Sequence, residues 1–199
     1  MHAIQTGDDH CLCPFCRVPA PESDREYIER IMKRIDANDA ESIYALGCYY
    51  RRGGMGFRQN KRKAMKLYLR AGKLGCMAAY CNVGYAYEIG ECVESDMDKA
   101  KYYYELAAMG GHVKTRCNLG KIEMRAGNMK RAVKHFMISA GAGDDDSLKK
   151  IRECYLNGHA TKDDFEKALR THKESKDEMK SEQREAAAAD RSRNCLLAL

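Results

Sequence analysis

Apolar and small residues return along most of the chain at intervals of three, four and seven rather than two. That is the periodicity of one helix face and not of a half-buried strand. A longer period lies over it, because three stretches superimpose when slid by 37 and then 36 positions. Leu46-Gly47, Val83-Gly84 and Leu119-Gly120 occupy the first half of each stretch, and Tyr50 and Tyr87 follow the first two glycines by three residues. In the second half Ala64, Ala100 and Ala132 each precede an aromatic by four positions (Tyr68, Tyr104, Phe136), a small residue by seven (Ala71, Ala107, Ser139) and a glycine by eleven (Gly75, Gly111, Gly143). A worn fourth copy follows, with Ile151-Arg152 at the Leu-Gly position, then Tyr155, Gly158 and Ala168, and with His172 and Ser175 replacing the aromatic and the alanine.

Repeats of this length read as stacked helix pairs. The expected fold is therefore all-α, an αα-superhelix of about four helix-turn-helix units. The recurring glycines and alanines let two helices cross closely while Leu, Tyr and Phe fill the space around the crossing. Gly53 and Gly90 are placed to end first helices, and Gly75, Gly111 and Gly143 second helices, where left-handed backbone favours glycine. One pair cannot bury its own apolar face, so the units are expected to stabilise one another, with atypical units at the ends. Ser23 and Glu26 have capping-box spacing, and Ile28, Ile31 and Ile35 form a stripe suited to covering the edge of the first repeat. The expected organisation is a tail over 1–21, a capping helix over 22–37, repeats over 38–75, 76–111 and 112–143, a divergent capping repeat over 144–180 and a charged tail over 181–199.

The pattern A-x-x-x-L-G-x-x-Y-x-x-G, a variable loop, then K-A-x-x-x-Y-x-x-A-A-x-x-G resembles the Sel-one-like repeat, a relative of the tetratricopeptide repeat. It is densest from Met77 to Gly111, where Val83-Gly84, Tyr87, Gly90, Val93, Lys99-Ala100, Tyr104 and Ala107-Ala108 all fall on pattern. The third unit departs from it: Ala132 follows Gly120 by 12 positions, where Ala64 follows Gly47 by 17 and Ala100 follows Gly84 by 16. The resemblance covers about residues 38–180 and implies an adaptor that assembles protein complexes rather than a catalyst.

Composition narrows the classes further. A hydrophobic content of 44% is enough to build a core, and the three prolines all precede residue 22. No run approaches the length of a membrane span, and no basic-plus-apolar leader opens the sequence. Six of the ten cysteines are spread through the helical units without tight pairing. Cys48, Cys76, Cys81, Cys92, Cys117 and Cys154 are accordingly expected as free, partly buried thiols of a reducing compartment, which places the chain in the cytoplasm and leaves the nucleus open. Cys195 stands fifth from the end, one position off the prenylation motif. No catalytic residues, metal triad or phosphate cradle are legible; Gly53-Gly54-Met55-Gly56 leads between two helices, without the strand a nucleotide loop requires. Neither a nucleic acid nor a small-molecule substrate is indicated, since Lys61-Arg62-Lys63 is the only compact basic run and is assigned to an inter-helix loop. His112 and His135 fall on surface-type repeat positions and receive no role.

Cys13-Pro14-Phe15-Cys16-Arg17 has the spacing at which two thiolates share a tetrahedral zinc. It resembles the last ligand pair of a RING finger, the module through which many ubiquitin ligases recruit a conjugating enzyme. The sequence begins twelve residues before Cys13, and His10 and Cys11 lie too close to supply the interleaved partners. Three readings stay open: a remnant of a RING, a small zinc site completed by His10 or Cys11, and an unligated tail. Zinc is the only cofactor implied, and only if the site is completed. The expected function is a non-enzymatic scaffold that holds a protein or peptide in its concave groove. The alternative is the substrate-recognition part of a RING-type ubiquitin ligase whose RING is truncated in this chain.

In tetratricopeptide relatives an asparagine before the Leu-Gly leucine can hydrogen-bond a bound peptide's backbone. The resemblance carries this to Asn82 and Asn118, with Ala45 and Lys150 at the matching positions of the first and fourth units. Lys114, Asn118, Lys121 and Arg125 recur at four, three and four residues and share one helix face. Arg51 and Arg52 end the first helix of unit one, and Lys149 and Lys150 lie in unit four. With a net charge of +6 these residues suggest a basic groove suited to an acidic peptide. Tyr44 and Tyr85 lie off the repeated core positions and are further binding candidates, whereas Tyr68, Tyr104 and Phe136 are assigned to the core.

Overall fold

The computed structural model describes residues 23–180. Within them the chain forms helices and short connections only: α1 (Asp24–Asp36), α2 (Ala40–Arg52), α3 (Lys61–Lys73), α4 (Met77–Ile89), α5 (Met97–Met109), α6 (Val113–Arg125), α7 (Met129–Gly141), α8 (Asp145–Leu156) and α9 (Lys162–Met179). Side-chain caps fix where several begin. Ser23 Oγ accepts from the Glu26 amide, Asp39 from Ser42, Asn60 from Lys63, Asp96 from Lys99 and Asp144 from Ser147. Each supplies an acceptor to an amide that has no partner inside its own helix. Thr161 and Asp164 form a reciprocal capping box on α9, an S/T-x-x-acid signature the sequence carries in plain view. At the other ends Gly53, Gly75, Gly90, Gly111 and Gly143 all adopt positive φ.

The chain divides into two compact units, one ending at Cys76 and the other beginning at Met77. In the first, α2 and α3 pack as a pair and α1 lies against α2. Its core holds Ile31, Ile35, Ile43, Leu46, Ala64, Met65, Tyr68 and Ala71, all buried. In the second, α4 pairs with α5, α6 with α7 and α8 with α9. Phe136, Ile151, Cys154 and Ala168 share one buried cluster with Cys117, Ala132 and Val133, while Tyr104, Ala108, Leu119 and Ile122 form another.

The Leu-Gly glycines explain the pairing. A Cβ built on Gly47 would lie 2.7 Å from Tyr68, one on Gly84 2.7 Å from Tyr104, and one on Gly120 2.5 Å from Phe136. In each pair the ring of the second helix rests directly on the backbone of the first. The fourth pair has Arg152 at that position, exposed, and His172 in place of the ring. It packs differently: Tyr155 stacks on Phe165 with centroids 5.4 Å apart, and His172 Nε2 lies 2.9 Å from Asp145 Oδ1.

Two sequence assignments change. Lys61, Arg62 and Lys63 belong to the first turn of α3 rather than to a loop, because Asn60 caps that helix immediately before them. His112 and His135 are half-buried rather than ordinary surface residues. His112 Nδ1 lies 2.6 Å from the fully buried Thr115 hydroxyl, His135 Nδ1 is buried with no hydrogen-bond partner among the described residues, and burial holds both imidazoles below the usual histidine range.

Candidate protein-binding site

The structure brings part of the candidate set together, on the two first helices α4 and α6. Asn118 lies half-buried on α6, and its Nδ2 donates to Cys81 Sγ on α4 at 3.8 Å. The Cys81 thiol is pushed up chiefly by burial, so the sulfur is uncharged and a weak acceptor. One such contact uses little of what a primary amide can donate and accept. Asn82, one repeat earlier, is likewise half-buried on α4, and Tyr85 on the same helix is exposed.

The cations around Asn118 do not behave alike. Arg125 Nη1 donates to Glu88 Oε1 at 2.5 Å, and Glu88 Oε2 accepts from the Tyr104 hydroxyl at 2.8 Å. Since the Glu88 side chain is only 16% exposed, Arg125 is committed to tying α6 to α4. Lys114 is exposed and Lys121 half-buried, and neither forms an ion pair among the described residues. On α8, Lys149 reaches Asp146 at 3.6 Å and Lys150 reaches Glu153 at 2.7 Å, so both are neutralised on their own helix.

A second carboxylate is held on the opposite side of α6. Glu123, with a side chain only 3% exposed, accepts from Lys101 Nζ of α5 at 2.6 Å and from Asn128 Nδ2 at 2.8 Å. The bond from Lys101 is the main cause that keeps this carboxyl below the usual glutamate range.

In the unit ending at Cys76, Tyr44 packs its ring 5.8 Å from that of Tyr68, so much of its surface serves the core. Arg51 is half-buried and Arg52 exposed at the end of α2, with the Arg51 carbonyl accepting from Gln59 Nε2 at 3.0 Å. Ala45, at the position matching Asn82 and Asn118, lines a cleft of about 350 Å³ with Tyr27, Arg30, Ile31, Arg34 and Ser42. The loop after α2 folds back through a bridge between Gly54 and Phe57. Lys63 Nζ then lies over the Tyr50 ring at 4.1 Å, as Lys99 lies over Tyr87 at 5.5 Å in the next repeat.

The Sel1 repeat model matches residues 40–76, 78–112 and 153–170. The chain carries Sel1 repeats. The matched segments hold both long-loop helix pairs and part of the last pair; the α6–α7 pair, whose connection is only Ala126, Gly127 and Asn128, falls outside them. Solved structures agree on the fold. A Sel1 repeat protein from Oxalobacter formigenes superposes with a TM-score of 0.67 at 24% identity, over 77% of this chain and 64% of its own. A protective antigen of uropathogenic Escherichia coli with an SLR fold gives 0.64 at 25% identity, over 76% of this chain and 33% of its own. An immunity protein from Pseudomonas aeruginosa gives 0.52 at 18% identity, over 76% and 58%. The chain thus spans less than two thirds of each neighbour's length. No curated protein matches it in sequence.

Sel1 repeats commonly mediate protein–protein interaction and are typically scaffolds rather than enzymes. Among the described residues no group of three or more His, Cys, Asp or Glu side chains is placed to hold a metal ion, and no helix is long and apolar enough to cross a membrane. Cys48, Cys76, Cys81, Cys92, Cys117 and Cys154 form no disulfide among the described residues. Cys13 and Cys16, with the RING resemblance and the ligase alternative that depend on them, lie outside the described residues.

Proposed function

We propose that this Sel1-repeat chain is a scaffold that holds an extended peptide segment of a partner protein against the first helices α4 and α6, with Asn82 and Asn118 gripping the peptide backbone. The observation that carries this reading is the Asn118 side chain. A half-buried amide whose only hydrogen bond among the described residues goes to an uncharged sulfur at 3.8 Å keeps donor and acceptor capacity that a peptide N–H and C=O can use. Asn82 repeats the residue one unit earlier, at the matching position of the preceding first helix. Tyr85 offers an exposed ring between them in sequence, and Lys114 and Lys121 supply positive charge that no carboxylate among the described residues neutralises. Arg125, Lys149 and Lys150 are left out of the contact set because their charge is already matched.

Peptides selected from a random displayed library against the full chain test this. Asn82→Ala combined with Asn118→Ala is expected to weaken the selected peptides on the order of tenfold, as losing two hydrogen bonds of about 1 kcal/mol each would do, with the circular dichroism unchanged. Unaltered affinity in a folded double variant removes the proposal.

A further inference from the structure

Helix α3 carries Lys61, Arg62, Lys63, Lys66, Arg70 and Lys73 and no acidic residue. Removing these six from the chain's 35 basic residues leaves 29, equal to its 29 acidic residues. The whole positive excess of the protein therefore equals the charge of one helix. Its placement is locally unfavourable, since three cations in the first turn oppose the helix dipole. Several cations on other helices are matched: Arg125 by Glu88, Lys101 by Glu123, Lys99 by Asp96, Lys150 by Glu153. On α3, Lys66, Arg70 and Lys73 meet no carboxylate among the described residues.

These three residues recur at four and three positions and so share a face. With Asn38, Leu69 and Leu74 they line a cleft of about 430 Å³. Arg70 is already fixed in place by neutral acceptors: its Nη2 donates to Asn38 Oδ1 at 2.6 Å and points toward the Ile35 carbonyl at 3.4 Å. The turn that presents Asn38 holds that residue at positive φ. The guanidinium is thus oriented without being neutralised, and its remaining donors are available to an anion. Leu69 is half-buried, and Leu74 is 45% exposed, which places an apolar surface among the three cations.

We propose that this cleft on α3 docks an acidic segment of a partner protein in which an apolar side chain sits between carboxylates. Carboxylates pair with Lys66, Arg70 and Lys73, and the apolar side chain covers Leu69 and Leu74. The mixed lining favours a peptide over a nucleic acid, because no aromatic among the described residues lines the cleft to stack on a base. It favours a peptide over a lipid surface because the leucines sit in a cleft and not along an outward apolar face. The site is separate from the α4 and α6 face and stands whether or not that reading holds.

The test uses the full ¹⁵N-labelled chain with three probes: a synthetic peptide of alternating Glu-Glu-Leu triplets, polyuridylate, and phosphatidylserine vesicles. The peptide is expected to shift the amides of Lys66, Leu69, Arg70, Lys73 and Leu74. Its affinity should fall on the order of tenfold in the Lys66→Glu, Lys73→Glu double variant, which reverses two partly exposed charges without touching the Arg70–Asn38 bond. A Lys66→Gln, Lys73→Gln variant is expected to give a smaller loss in the same direction and guards against a folding defect in the reversal. Tighter binding of polyuridylate or of the vesicles, shifts that map outside α3, or equal affinity in the folded variants overturns the proposal.

Discussion

Gly47, Gly84 and Gly120 sit where a methyl group has no room. A Cβ on Gly84 would stand 2.7 Å from a Tyr104 ring that is itself fully buried, so neither side can give way cheaply. Gly84→Ala or Gly120→Ala is expected to cost about 1–3 kcal/mol through overpacking, even though alanine is the better helix former. Gly141 is a useful contrast, since its nearest neighbour would be an ordinary contact at 3.6 Å; Gly141→Ala is expected to be neutral or to stabilise by up to about 1 kcal/mol. Urea unfolding of the three variants reads the difference directly. These close approaches were legible because the Leu-Gly glycine and an aromatic four residues after an alanine recur in the same order in three copies. The partners of Glu88 and Glu123 were not legible, since each carboxylate reaches a cation in another helix pair and neither contact repeats.

At the scale of the helix, the start of α3 shows how one cap moves an assignment. Lys61-Arg62-Lys63 looks like a loop by its charge alone, yet Asn60 ahead of it is a favourable N-cap, and the helix begins where that cap dictates. The tie between α5 and α6 gives a second lesson. Lys101 neutralises a carboxylate that is 3% exposed, and Lys101→Met would leave that charge buried with Asn128 as its one remaining hydrogen-bond donor among the described residues. Because the Lys101 side chain is itself 36% exposed and so partly screened by solvent, the expected cost is about 1–3 kcal/mol at neutral pH. The sign with pH follows from the lowered Glu123 value. A carboxyl whose folded value lies below its unfolded one stabilises above the unfolded value, near 4.5, and loses that contribution as pH falls through the folded value. Thermal melts of the parent and Lys101→Met should therefore converge as the pH is taken below 4.5; a gap that stays constant down to acid would deny the ion pair its role.

Across the whole molecule, the repeat architecture was open to sequence reading because stacked pairs reuse the same few contacts, and the Sel1 repeat match falls on those pairs. The distribution of charge was harder to see. A net +6 suggests a basic groove, but three of its named cations, Arg125, Lys149 and Lys150, are answered by nearby carboxylates. That Lys66, Arg70 and Lys73 of α3 meet no carboxylate among the described residues becomes visible only when pairing is followed residue by residue. The first-helix face then depends less on charge than on the underused amide of Asn118.

Hydrogen–deuterium exchange of the full chain, with and without an uncharged peptide selected from the displayed library, is the most direct test of that face. Slowed exchange concentrated in α4 and α6, and absent in the Asn82→Ala, Asn118→Ala variant, is the predicted result. Protection that spares both helices, or that persists undiminished in the folded variant, would contradict the scaffold as described.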